Sequence, residues 1–240
     1  MRVTVAILGF LFALYITVSV VYKTACDRKE YLRIMNDLSV HETVGISGDD
    51  LDNVVSSIRT GIAFGTEIKN PLVTIEGETR LFFNDKELRH MADVVSLAKI
   101  AHGIDIGGLV VLLLSIMLGV NFRAMGEERR YAKVFFCGIL FFLGFIGAIM
   151  LWAAVNFDSA FTFMHHVFFR NDLWLLNPET DMLIRIMPLQ FFIEMGMVIL
   201  RRLMRFVAGG VVLYALGVIV NLPRKRKGTP YNEPLPPPNP

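Results

Sequence analysis

Ile106-Gly-Gly-Leu-Val-Val-Leu-Leu-Leu-Ser-Ile-Met-Leu-Gly-Val-Asn-Phe122 and Val134-Phe-Phe-Cys-Gly-Ile-Leu-Phe-Phe-Leu-Gly-Phe-Ile-Gly-Ala-Ile-Met-Leu-Trp-Ala-Ala-Val155 contain no charged side chain. Each approaches or exceeds the ~20 apolar residues that carry a helix across the hydrocarbon of a bilayer. A third run of this kind, Val3 to Tyr22, opens the chain, and a fourth, Phe206 to Leu222, follows the arginines at 201, 202 and 205. The chain is 54% hydrophobic with only 19% charged residues, and its mean hydropathy is +0.51. Apolar residues gathered in blocks, instead of scattered as in a soluble core, place it in the membrane class. Four spans are expected, the last the shortest, with its arginines at the interface and their long side chains extending its reach.

Basic residues beside helix ends set the orientation, because Lys and Arg in short loops stay on the cytoplasmic side. Arg123, Arg129, Arg130 and Lys133 follow the second span, and Arg224, Lys225, Arg226 and Lys227 follow the fourth. Both termini are therefore expected inside, with residues 24–103 and 156–200 outside. The expected organisation is a first span (1–23), an extracytoplasmic cap (24–103), and second and third spans with a short cytoplasmic loop (104–155). An outer aromatic segment (156–200), a fourth span (201–222) and a cytoplasmic Pro-rich tail (223–240) complete it. Thr24-Ala25-Cys26 has the outline of a lipoprotein cleavage box. Lys23 stands where such a box wants an apolar residue, and the run before it is long enough to span, so an uncleaved first helix is expected.

The first outer segment is too long for a structureless loop and should fold. Asp27 to Leu38 and Ser47 to Thr60 have helical apolar spacing, the second opening on candidate N-caps in Ser47-Gly48-Asp49-Asp50. Pro71 to Phe83 alternates and is interrupted by Gly77, which predicts a hairpin. A further helix starts at Asp85 and runs down into the second span. The fold class is thus an all-α membrane protein of four transmembrane helices with a small mixed α/β cap.

A net charge of +2, from 24 basic and 22 acidic residues, gives no field for nucleic acid. The two cysteines fall one beyond a span and one within a span, and no Cys or His spacing makes a zinc site, so neither a disulfide nor a metal is expected. Of the five histidines, His90 lies on the helix entering the second span, and His165 and His166 follow the third span closely. All three come near the outer membrane face, where ionisable side chains point to function. The segment Asn156 to Pro178 is crowded with Phe yet too charged to span. It suits either an interfacial helix with an aromatic belt or a water-poor pocket around a histidine.

Two patterns within these stretches are specific. One is Phe157-Asp158-x-x-Phe161-Thr162-x-x-His165-x-Val167-Phe168-Phe169, continued by Asn171-Asp172-x-Trp174-x-x-x-Pro178, Asp181-x-Leu183-Ile184 and Pro188-x-x-Phe191-Phe192; the other is Glu87-x-x-His90-Met91-x-Asp93-Val94. In this order, after a first span and a cap, they resemble the signature of the lipoprotein intramolecular transacylases, the Lit family of bacterial integral membrane proteins. The resemblance runs essentially to Leu222. His165 falls on the motif position and His166 on a variable one.

The resemblance implies a multi-pass enzyme of the bacterial cytoplasmic membrane with its active site on the extracytoplasmic face. Its substrate would be a diacylglyceryl lipoprotein amid membrane lipids. The sn-2 acyl chain would move to the α-amino group of the lipoprotein's own N-terminal cysteine, giving the lyso form. No cofactor or metal is implied. Such a reaction needs a base near neutrality for the amine and a donor for the tetrahedral oxyanion. His90 and His165 are the candidate catalytic residues, with His165 moving the proton and His90 at the oxyanion; the reverse division stays open. Phe157, Asp158, Phe161, Phe168, Phe169, Trp174 and Asp93 are candidates for the pocket and for orienting the histidines. A metal-dependent membrane hydrolase and a non-catalytic polytopic protein are the alternatives. No H-E-x-x-H spacing favours the first, and the charge-free spans at 106–122 and 134–155 argue against a transporter.

Overall fold

The computed structural model describes residues 1–220. Its elements are α1 (Arg2–Ala25), α2 (Arg28–Asp37), α3 (Val40–Val44), α4 (Gly48–Phe64), β1 (Leu72–Ile75), β2 (Glu78–Leu81), α5 (Asp85–Ala124), α6 (Glu128–Val155), α7 (Phe157–Phe168), α8 (Met182–Ile186) and α9 (Leu189–Val220). Among the described residues three stretches are long and apolar enough to cross a membrane: α1, α5 and residues Arg129–Val155 of α6. Their outer faces invert the soluble pattern, since Leu109, Val110, Leu113, Leu140, Phe141 and Leu151 are all exposed. In water such a surface would aggregate, whereas in lipid it is solvated.

α1 and α6 pack backbone to backbone. A Cβ on Gly138 would stand 2.0 Å from the Ala6 carbonyl oxygen, and one on Gly9 would stand 2.1 Å from that of Phe135. Small residues permit this approach, and close packing is what holds helices together where lipid offers no hydrophobic drive. At the end of α5 the Phe122 and Tyr131 rings stack at 3.9 Å, closing the turn into α6.

The cap follows its local signals. Asp27 accepts the Lys29 N–H at the start of α2, and Ser47 accepts the Asp50 N–H at the start of α4. β1 and β2 pair antiparallel with Val73 opposite Arg80. Their two-residue turn places Glu76 at φ 52° and Gly77 at φ 87°, the left-handed pair of a type I′ hairpin. Ile34, Met35, Leu51, Val54, Val55, Phe82 and Phe83 bury the cap's core, and Met91 and Val95 of α5, Ile186 of α8, and Phe191 and Val198 of α9 join it. The cap is therefore built on the same helices that lead to the membrane.

The expected fourth span falls on α9 as far as Val220. Asn221, Leu222 and the Pro-rich tail lie outside the described residues. α9 begins at Leu189, well before the arginines that were expected to mark its membrane boundary, so helical structure reaches into the segment read as outer loop. The guanidinium of Arg202 donates to Thr24 at 3.1 Å, to Asp27 at 2.5 Å and to Glu30 at 3.4 Å. Its charge is answered by the cap, and the helix runs through it. The chain divides into two compact units, Met1–Leu203 and a second beginning at Met204, whose described residues are helical.

Candidate active site

α5 begins with a reciprocal capping box. The Asn84 side chain accepts the Glu87 N–H at 3.0 Å, and the Glu87 carboxylate accepts the Asn84 N–H at 2.8 Å. Glu87 is fully buried, and its second oxygen takes the Leu183 N–H at 2.5 Å, tying the start of α5 to the start of α8. Burial raises its pKa, and the backbone donors that point at it hold part of that rise back. One turn further along the same helix sits His90. The cap thus sets the phase that turns His90 inward.

His165 arrives from α7. Phe157, Phe161 and His165 recur every fourth residue and share one stripe of that helix. The Phe157 and Phe161 rings stack at 5.7 Å, and the Phe161 ring lies 4.0 Å from His165. His90 and His165 are each only 7% exposed, and their ring centres stand 6.2 Å apart. Phe169 touches both, at 5.2 Å from His90 and 5.6 Å from His165. Trp174 stacks on His165 at 4.8 Å with planes 27° apart. Two imidazoles from helices far apart in the sequence, α5 and α7, therefore share one aromatic chamber.

The loop that carries Trp174 is pinned to the first turns of α5. Asn171 donates to Asp93 at 2.9 Å and folds back on the Leu173 N–H at 3.1 Å. The Lys86 ammonium donates to the Leu175 carbonyl and pairs with Asp181 at 3.8 Å. Asp181 also accepts from the Asn84 side chain at 2.8 Å and from the Asn177 N–H at 2.7 Å. The same short stretch of α5 thus holds His90 and anchors the loop that walls His165.

These surroundings fix protonation. Burial, then the neighbouring His165 and Lys86, push His90 down to about 4, with Asp93 pulling the other way. Burial also lowers His165, aided by His166, while the Phe161 carbonyl pushes it up. Both imidazoles are neutral at pH 7. The His165 Nδ1 lies 2.8 Å from the Phe161 carbonyl oxygen, which only accepts; Nδ1 therefore carries the proton and Nε2 the lone pair. A neutral imidazole oriented this way can take a proton at Nε2.

Not every sequence candidate reaches this chamber. Phe168 is 52% exposed. Asp158 is exposed and, with Trp152, Ser159, Thr162, Phe163 and His166, lines a separate open depression. The reason is helical phase: Asp158, Thr162 and His166 stand one residue, or about 100°, round from the Phe157, Phe161, His165 stripe. Phe157 touches His165 only through Phe161, and Asp93 meets the site through Asn171. Glu87, Asn84, Asn171 and Asp181 support the site and were not among the candidates. Glu87, Asn171 and Asp181 stand at positions of the two motifs, and Asn84-x-x-Glu87 has in addition the local form of a capping box. Among the described residues no three His, Cys, Asp or Glu side chains gather as a metal site.

The family model described as lipoprotein intramolecular transacylase Lit matches residues 4–192. No curated protein matches the sequence. An in meso structure of the membrane integral lipoprotein intramolecular transacylase Lit from Bacillus cereus is similar at a TM-score of 0.64 and 17% identity, covering 91% of this chain and 96% of that one. A variant of that protein with a histidine replaced by arginine gives 0.65 and 18%, over 90% of each chain. One with a histidine replaced by alanine gives 0.64 and 19%, over 90% of this chain and 91% of that one. At such identities these likenesses establish the fold. The family model reaches from the first span to Phe192, across both histidine motifs and the loop between them, and the chain accordingly belongs to the lipoprotein intramolecular transacylase family, Lit, as a membrane-integral acyltransferase.

Proposed function

We propose that this chain moves the sn-2 acyl group of a diacylglyceryl lipoprotein onto the α-amino group of that lipoprotein's own N-terminal cysteine, with His165 as the base and His90 beside the ester. The observation that carries this reading is the buried pair itself: two neutral imidazoles 6.2 Å apart, one with its lone pair directed by the Phe161 carbonyl. His165 Nε2 accepts a proton from the amine as its nitrogen bonds to the ester carbonyl carbon. The tetrahedral intermediate collapses with cleavage of the carbon–oxygen bond, and the glyceryl oxygen leaves with the proton that His165 returns. An amide and a free hydroxyl result, and no external acyl donor is consumed.

Both reacting groups belong to one substrate, so the protein's task is to bring them together. Effective molarity in such intramolecular reactions supplies roughly 7–11 kcal/mol at the well-oriented limit. Phe161, Phe169 and Trp174 form the wall that confines the glyceryl group and keeps water from the ester. Asp93 and Asn171 hold that wall in place. The exposed Phe163, Met164, Val167 and Phe168 of α7 suit an interfacial helix, which supports a site at the boundary between cap and membrane. On this reading the second part of α9 is a fourth span, both termini are cytoplasmic, and the site opens on the extracytoplasmic face to a lipoprotein held in the bilayer.

Mass spectrometry of a lipoprotein's N-terminal peptide tests the reading. Cells holding the protein should yield the lyso form, and His90→Ala or His165→Ala should abolish it while the variant remains in the membrane. His166, outside the chamber, should be replaceable. Full conversion by either His90→Ala or His165→Ala would overturn the assignment.

A further inference from the structure

Trp174 carries a polar atom that its wall-forming role does not use. The indole is 7% exposed, and its Nε1–H is buried without a hydrogen-bond partner among the described residues. An indole nitrogen is a donor only, and leaving it unpaired in the interior is costly, so native structures seldom do it. Here the unpaired donor belongs to a side chain that lies flat on His165 and meets the His166 ring edge-on at 5.2 Å. The backbone around it is fixed, with the Leu176 N–H bonded to the Trp174 carbonyl at 2.9 Å and the Leu175 N–H to that of Asp172 at 3.2 Å. For the donor to reach water the indole would have to leave its packing on His165.

We propose that the Trp174 indole N–H donates to the acyl oxygen of the substrate, polarising the ester carbonyl and holding the oxyanion while His165 handles the proton. The inference rests on the transacylation reading above and assigns one further catalytic contact within it. Three chemical needs then fall to three side chains. His165 has a directed lone pair and can act as base. A neutral indole N–H, which does not titrate in the working range, is a donor at every pH at which that base is free. His90, whose Nδ1 is likewise buried without a partner among the described residues, is left to orient the glyceryl ester. No proton leaves the indole: the N–H···O contact shortens as charge builds on the oxygen and relaxes when the carbon–oxygen bond breaks. A donor already desolvated and left unpaired gives up no other hydrogen bond at that moment.

The test uses the full-length protein in lipid nanodiscs with a synthetic diacylglyceryl lipopeptide. At position 174 it places β-(3-benzothienyl)alanine, which keeps the bicyclic shape but has sulfur in place of N–H, and in parallel a series of fluorinated tryptophans of rising N–H acidity. The benzothienyl protein should lose kcat by about 10²–10³-fold with KM changed less than about threefold, the loss typical of one oxyanion donor. Across the fluorinated series kcat should rise with N–H acidity. A benzothienyl protein with kcat within threefold of the parent overturns the proposal. So does a loss that fails to follow acidity across the fluorinated series, since that marks packing alone. His165→Ala, run beside them, separates the two levels: if it is inactive while the benzothienyl protein is fully active, only the indole role falls. If either His165→Ala or His90→Ala remains fully active, the reading beneath it falls as well.

Discussion

On the proposed reaction, lowering the pH from 7.5 to 5.5 titrates the substrate amine, while burial holds protonation of both imidazoles below the ordinary histidine range. An α-amino group with a reference pKa of about 7.7–8.0 is neutral for roughly a third of molecules at pH 7.5 and for less than about 1% at pH 5.5. Only the neutral amine attacks, so this alone cuts kcat/KM by about 70-fold. His90 is held at about 4 by burial, by His165 and by Lys86, and stays predominantly neutral at pH 5.5. Burial also keeps His165 below its ordinary value. A histidine left at 6.5 would be about 90% protonated at pH 5.5 and would take a further factor of about ten, for a total near 700-fold. The measurement is a pH profile of kcat/KM on a lipopeptide substrate, with enzyme integrity checked by return to pH 7.5. A slope of one in log kcat/KM is expected from about pH 7.5 down past 6.5, with any steeper limb from His165 setting in only below its ordinary value. A second unit of slope setting in at about 6.5 would refute the depressed histidines, because the base would then be losing its lone pair in water's own range.

Other perturbations follow from the supports of the site. Glu87→Ala strands the buried Leu183 N–H and removes the cap on the Asn84 N–H, and should cost about 2–4 kcal/mol, read as a lower Tm in detergent, with loss of activity as His90 loses its phase. Asn171→Ala frees the Trp174 loop from Asp93; its stability cost should be near 1 kcal/mol, but kcat should fall more than that cost implies. Gly138→Val meets the Ala6 carbonyl, which is backbone and cannot step aside, so α1 and α6 must separate; a Tm loss of about 1–3 kcal/mol equivalent or more is expected.

The parts of this architecture that the sequence disclosed are those whose cause is local. Charge-free runs at 106–122 and 134–155 read as helices in lipid, and Ser47 and Gly77 mark element ends through local geometry within a few residues. The start of α9 was not legible. Arg201, Arg202 and Arg205 read as a membrane boundary because an isolated guanidinium belongs in water, whereas Arg202 finds Asp27 and Glu30, carboxylates from the far end of the chain. Asp158 was placed in the site for a related reason. Its nearness to His165 in sequence says nothing of helical phase, and one residue's rotation, about 100°, turns it with His166 off the stripe that carries His165. The Asn171–Asp93 tie likewise joins two segments 78 positions apart and leaves no trace in either alone.

One physical cause runs through the depressed histidines, the aromatic wall and the choice of acceptor. Moving an acyl group to an amine instead of to water demands that water be scarce at the ester, and scarcity of water is also what penalises a charged imidazole. The residues that lower His90 and His165 are therefore the same residues that would suppress hydrolysis. A base weakened in this way gives up driving force for proton transfer, but its task is modest, because the amine it serves loses its first proton to solvent near neutrality. What remains is the proton released as the nitrogen bonds to carbon, when that nitrogen is far more acidic than the free amine. A weak, neutral base with its lone pair fixed by the Phe161 carbonyl is matched to that later proton. A stronger base would require a more polar chamber, and a more polar chamber would admit the competing nucleophile.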